Sequence, residues 1–242
     1  YVGNDNAQQV ASPRSEVASE LNISPSNVGA VKWNDMIIDV THPNRSALLS
    51  QVPLVDGDDK HDARYFPRGK FDEHSQPLDL RETNTWTNRL HEVPVIELFE
   101  VFSINTFAPF ILNSKLKGLM LASPHKDKFI VNVSAMEGKF YRYKTANHPH
   151  TNMAKAALNM LTRTSASDYA QDRIWMNSVD TGWVTDENPF ESAQKYSKET
   201  GFMAPLDEKE GAARILDPVI NTVLTGEIVY GKFLKDYRET EW

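Results

Sequence analysis

The 242-residue sequence contains no cysteine. That excludes disulfides, thiolate metal sites and a cysteine nucleophile. It also lacks a basic excess: 26 Lys and Arg stand against 33 Asp and Glu, for a net charge of −7. No Lys/Arg cluster supplies the face that nucleic-acid binding needs, so no nucleic-acid partner is expected. No uninterrupted run approaches the ~18 apolar residues of a membrane span, and none is expected. The opening YVGNDNAQQV is not a secretory signal. It begins without Met, which reads as a processed, truncated or partial chain. A soluble chain of the cytoplasm or an organelle matrix fits these features, and none of them selects the compartment. Glycosylation triplets at Asn22 and Asn44 are of a kind that chance often produces.

With 40% hydrophobic and 24% charged residues, the chain can bury a real core. Residues 1–30, rich in Ser, Asn, Gln and Pro, read as an irregular arm. VKWNDMIIDV (31–40) suits a short strand or helix. Residues 41–92 carry many turn formers around scattered apolar anchors such as Leu48, Phe66 and Trp86. They read as a long, loop-rich insertion packed against a neighbour. DGDD (56–59) reads as a solvated turn, because the spacing and closing Glu of a calcium loop are absent.

After residue 92 the periodicity sharpens. Leu98, Phe102, Asn105, Pro109, Leu112, Leu116 and Leu119 fall at helical spacing, which predicts a buried stripe. KFIVNVSA (128–135) predicts a parallel strand, and 149–170 a long helix. RIWMNSV (173–179) predicts a second strand. A loop over 180–206 with a short helix near 190–199, a helix over 207–223 and a strand near 227–234 complete the pattern. Helices alternating with strands give a parallel α/β arrangement over 93–242, with 1–92 as arm and insertion.

Several residues invite chemistry. Asn105 interrupts an apolar stripe, and a buried amide without partners costs roughly 1–3 kcal/mol. Either it bonds a backbone kinked by Pro109, or it serves a site through the carbonyl that Pro109 frees. Ser134 ends a strand, where open parallel sheets bind ligands; it is equally a turn-capping serine. Lys155 sits among Ala154, Ala156 and Ala157, either as a ligand-binding cation or as a snorkelling surface lysine. His148 and His150 alone fall short of the three or four ligands of a metal site, so no metal is expected.

FSINTFAPFILNSKL, KFIVNVSAMEG, HTNMAKAALNMLTRTSA and NSVDTGWV, in that order, resemble the second half of a short-chain dehydrogenase/reductase. GEIVYGKF resembles the last strand of that family. HPHTNMAKAALNM, with QPLDLRETNTW upstream, resembles a divergent branch of it. The resemblance covers about the last 140 residues. It implies an α/β fold, the C-terminal half of a Rossmann-like doubly wound parallel sheet behind a loop-rich insertion. It also implies NAD or NADP as cofactor and a small carbonyl or alcohol as substrate.

The family's tetrad is Asn, Ser, Tyr and Lys. Asn105 and Lys155 match its ends, Ala135 stands at the usual serine beside Ser134, and Thr151 stands at the usual tyrosine. Tyrosine begins near pKa ~10 and a close cation brings it toward working range. A threonine alcohol is too weak an acid for that, so Thr151 serves as a hydrogen-bond donor at most. Tyr141, in GKFYRYKTANHPH, is the preferred substitute acid, with Tyr143, His148 and His150 as nearby alternatives, and Ser134 the substitute hydroxyl. Lys155, Gly182, Val184 and Thr185 are the expected cofactor contacts, with Asp186 where the family has a threonine.

The family's glycine-rich turn, which receives pyrophosphate at a helix N-terminus, has no match here. The sheet is therefore expected to be completed by an upstream segment, a separate chain or a partner, and an exposed edge favours an oligomer. Three readings stay open. One is an NAD(P)-dependent oxidoreductase that needs this front half. Another is a non-catalytic relative serving as a structural or assembly subunit. The third is a binding module that senses a nucleotide without reducing anything.

Overall fold

The computed structural model describes residues 30–33, 36–39, 62–72, 75–140 and 143–242. The arm, the two glycosylation triplets, DGDD and Tyr141 lie outside them. The chain divides into two compact units, Tyr1–Lys60 and His61–Trp242. The smaller unit contains an antiparallel pair, β1 (Ala30–Trp33) and β2 (Met36–Asp39), with Trp33 opposite Met36.

In the larger unit, residues 62–72 and 75–92 form turns and isolated bridges. A continuous helix follows in three parts: α1 (Val95–Phe102), a π-helical turn (Ser103–Phe107) and α2 (Ala108–Ala122). Then come β3 (Lys128–Ser134), a 3-10 turn (Met136–Gly138), α3 (Pro149–Gln171) and β4 (Ile174–Asp180). The chain closes with α4 (Phe190–Thr200), α5 (Glu208–Thr225), β5 (Phe233–Lys235) and β6 (Arg238–Thr240). The sheet order is β3-β4-β5-β6. The first two pairings are parallel and the last is antiparallel, with Ile130 opposite Met176 and Leu234 opposite Glu239.

β4 is buried at every position, as a central strand covered on both faces must be. Ile174 and Met176 pack with Ile130 of β3 and Ala166 of α3, and Met120 and Tyr169 close this core. A buried polar chain runs through the same layer. Asn113 of α2 donates to Asn132, Asn132 donates to Thr162, and Ser178 of β4 donates to Thr162 as well. These bonds hold α2, β3, α3 and β4 in one register.

Two differences from the sequence-based expectation have physical causes. The last strand is shorter than 227–234, because Asn177 takes the backbone over this stretch: its Nδ2 donates to the Val229 carbonyl and its Oδ1 accepts from Lys232 N–H. The extra strand β6 follows a tight turn in which Asp236 and Tyr237 both hold positive φ (50° and 62°), a turn usually signalled by glycine or asparagine.

The helix over 95–122 departs further. Its apolar stripe was expected to be buried, yet Leu112, Leu116 and Leu119 are exposed. The face turned to the layer is instead the semi-polar one. Thr106 donates to the Ala154 carbonyl, Asn113 meets Asn132, and Lys117 lies over the Tyr169 ring beside Asp168 and Asp172. By length and composition alone this 28-residue helix is apolar enough to cross a membrane, with an 18-residue stretch of mean hydropathy 1.6. Counting uninterrupted apolar runs missed this, because polar residues punctuate it. Its tethers to α3 and β3 make it a layer of the α/β unit. Among the described residues β3 pairs on one side only, and nothing covers the stripe.

Candidate functional site

α3 begins abruptly. His148 takes a left-handed conformation (φ 38°) and Pro149 occupies the first turn. The His148 ring stacks on Trp86, centroids 3.8 Å apart and planes within 10°, and its Nδ1 lies 2.7 Å from the Trp86 carbonyl oxygen. The insertion is thereby clipped to the start of the helix. Trp86 forms part of a cleft whose floor is Thr151 and Lys155, four residues apart and so on one helix face.

The opposite wall comes from the carboxyl ends of β3 and β4, where open parallel sheets place ligands. Met136 and Glu137 belong to the turn after β3, and Asp180 ends β4. Gly138 lets that turn meet the helix: a Cβ there would lie 2.7 Å from the Lys155 carbonyl oxygen and 2.5 Å from Asn159 Nδ2. Gly182 at φ 78° turns the chain, so that Trp183, Val184 and Thr185 also face the cleft.

Electrostatics differ among the side chains. Lys155 Nζ donates to the Val133 carbonyl at 3.0 Å. Burial pushes its pKa below the ordinary lysine value, while Glu137 and Asp180 act against that shift. Asp180 is buried and saturated, accepting from Gly182 N–H at 2.8 Å and Lys235 Nζ at 2.9 Å. Asp186 accepts from the backbone and side chain of Asn188, and Glu187 accepts from Thr185.

The residues singled out in the sequence separate into two groups. Thr151, Lys155, Gly182, Val184 and Thr185 line one cleft. Asn105 and Ser134 are not among its lining. Asn105 Nδ2 donates to the Val101 carbonyl at 3.0 Å within the π-helical turn, the backbone-bonding role. Ser134 is buried and donates to Asn159. Glu137 and Asp180 were not singled out in the sequence, and Trp86 was read there only as an apolar anchor. Glu137 and Asp180 were legible in principle, since each sits at the end of a recognised strand. Trp86 was not, because only the fold brings the insertion to α3.

A family model described as enoyl-(acyl carrier protein) reductase matches residues 82–216, more than half of the chain. The chain belongs to the short-chain dehydrogenase/reductase family. The matched stretch includes Trp86, Thr151, Lys155 and the 182–185 turn, so the family's core sequence and the cleft coincide. A relative, Uncharacterized protein R665 of Acanthamoeba polyphaga mimivirus, is 33% identical over 151 residues, covering 59% of this chain and 31% of its own. Similar solved structures include the NADPH-bound carbonyl reductase from chicken fatty liver (TM-score 0.46, 21% identity, 67% of this chain and 64% of that one). Another is the carbonyl reductase Sniffer of D. melanogaster (TM-score 0.46, 23% identity, 64% and 60%). The chain spans less than two thirds of the length of each of these proteins.

Proposed function

We propose that the complete protein is an NAD(P)-dependent oxidoreductase of the short-chain dehydrogenase/reductase type, acting on the carbonyl or alcohol group of a small molecule. The observation that carries this reading is the meeting of Thr151, Lys155 and the Gly182–Thr185 turn in one cleft beyond β3 and β4. The donor set fits a nicotinamide nucleotide: an ammonium and a hydroxyl suit ribose oxygens, and a glycine turn admits close backbone approach. Lys155, Gly182, Val184 and Thr185 would hold it, and it would supply the hydride donor or acceptor. NAD and NADP remain equal candidates, since the cleft shows nothing that selects a ribose phosphate.

The sheet is completed on its β3 side by further strands, from an upstream segment, a separate chain or a partner. The single-sided pairing of β3 and the bare Leu112–Leu116–Leu119 stripe support this, and they favour an oligomer.

A second reading is a non-catalytic subunit of a larger complex. Thr151 at the tyrosine position, and a Lys155 ammonium engaged by the Val133 carbonyl, favour it. One titration separates the two. NADH and NADPH are added to the full-length protein while nicotinamide fluorescence is followed. Saturable enhancement supports the oxidoreductase, whereas no binding at millimolar cofactor leaves the subunit reading.

A further inference from the structure

The cleft contains four carboxylates, and three of them are spoken for. Asp180 is buried between Gly182 N–H and Lys235. Asp186 is tied to Asn188, and Glu187 to Thr185. The fourth, Glu137, lines the cleft, and among the described residues its carboxylate has no hydrogen-bond partner. Its position is nevertheless fixed. The Met136–Gly138 turn is pressed onto α3 by the absence of a Cβ at Gly138, and Lys144 Nζ donates to the main-chain carbonyls of both Met136 and Glu137. A carboxylate on an anchored turn, without a hydrogen bond among the described residues and in one cleft with a hydroxyl that is too weak an acid, is a group held ready for a proton.

We infer that Glu137 is the proton-transfer residue of this site, in the place that the Thr151 hydroxyl cannot fill. The inference rests on the oxidoreductase reading above. In the oxidation direction, the substrate O–H bond breaks and its proton passes to a Glu137 oxygen. The adjacent C–H bond would give up its hydride to the nicotinamide cofactor, which would supply the two-electron oxidant, leaving the carbonyl. Reduction runs the same exchange backwards, with protonated Glu137 as donor. Thr151 then holds the substrate oxygen, and Lys155 remains the nearby cation. Both states are accessible in water, because a carboxyl and a carboxylate interconvert at much lower pH than any alcohol.

Lys155 of α3, Asp180 of β4, and Asp186 and Glu187 of the loop after β4 share the cleft with Glu137, and Lys144 anchors its turn.

The test follows the carboxylate itself. Infrared pH titrations of the full-length protein are recorded with saturating NAD+ and then NADH, and the Glu137 band is assigned by its loss in Glu137→Gln. The Glu137 midpoint is expected to fall by ~1 pH unit with NAD+ relative to NADH, because a proton acceptor for the substrate oxygen would lie close to the cationic oxidised ring. NADH affinity of Glu137→Gln, followed by fluorescence, is expected to stay within about threefold of the wild type, since nothing in the inference makes this side chain a cofactor anchor. Glu137→Asp keeps a titrating band and guards against misfolding of the Gln variant. Equal midpoints with the two cofactors would overturn the role of Glu137 while leaving the oxidoreductase reading intact. Failure of the wild type to bind either cofactor would overturn that reading first, and this inference with it.

Discussion

Lys155 Nζ lies 3.0 Å from the Val133 carbonyl oxygen, so a helix cation ends on a strand rather than on a carboxylate. Burial holds its pKa below the ordinary 10.5. In the window between that lowered value and 10.5 the unfolded chain binds a proton that the folded chain does not, so stability rises with pH there. Below the window, the full cost of burying the charged amine is present. A methionine at this position carries no such cost. The difference in thermal midpoint between Lys155→Met and the wild type is therefore expected to shrink as pH rises toward 10.5. A difference that stays constant with pH would show that Lys155 is not desolvated.

The Thr162 hydroxyl serves three buried groups, accepting from Asn132 and Ser178 and donating to the Leu158 carbonyl. Thr162→Val keeps the volume and removes all three bonds. Each stranded buried donor costs about 1–3 kcal/mol, so the two together predict a loss of roughly 2–6 kcal/mol. Urea unfolding measures it. A loss within 0.5 kcal/mol, about the size of an ordinary surface substitution, would mean that the network relaxes around the methyl group.

Much of the larger unit was readable from sequence because its periods are clean. The strand at 128–134, the helix at 149–171 and the strand at 174–180 each carry a pattern that one rule explains. The stripe of α2 shows the limit of periodicity. Spacing identifies an apolar face but not what covers it, and here the layer took the face of Thr106, Asn113 and Lys117 instead. The cleft shows a second limit. Thr151 and Lys155 sit on one helix, so their spacing revealed their meeting. Trp86 reaches the same cleft from 65 residues upstream of Thr151, through a ring stack on His148 that no local pattern encodes.

Gly138 has no room for a side chain, with Asn159 Nδ2 and the Lys155 carbonyl both within 2.7 Å of where a Cβ would stand. One of these is backbone and cannot swing away. Gly138→Ala is therefore expected to lose about 1–3 kcal/mol of stability as the turn lifts from α3. The same movement pushes against the backbone of Lys155, an expected cofactor contact, so cofactor affinity should weaken along with the denaturant midpoint. Destabilisation with unchanged NADH affinity would separate the turn from the cleft.

His150 is buried at 3% exposure on the first turns of α3, and its Nδ1 has no hydrogen-bond partner among the described residues. Its Nε2 lies 3.7 Å from a Glu97 carboxylate oxygen of α1. Burial lowers the ring's pKa below 6.5, Glu97 opposes that shift, and nearby His148 reinforces it. The desolvation cost therefore outweighs the ion pair. Above 6.5 the ring is neutral in both folded and unfolded chains and contributes no pH dependence. As pH falls from 6.5 to the lowered folded value, the unfolded chain takes up a proton first and stability drops. Below the folded value the loss is complete and constant. Thermal melts across pH 4.5–7.5 should show this acid-side decline in the wild type and a flatter curve in His150→Gln, which cannot titrate. Glu97→Gln removes the opposing carboxylate, so its decline should be larger than that of the wild type. If Glu97→Gln instead resists acid better than the wild type, the pair is repulsive or solvated, and the ordering of burial over ion pairing is wrong.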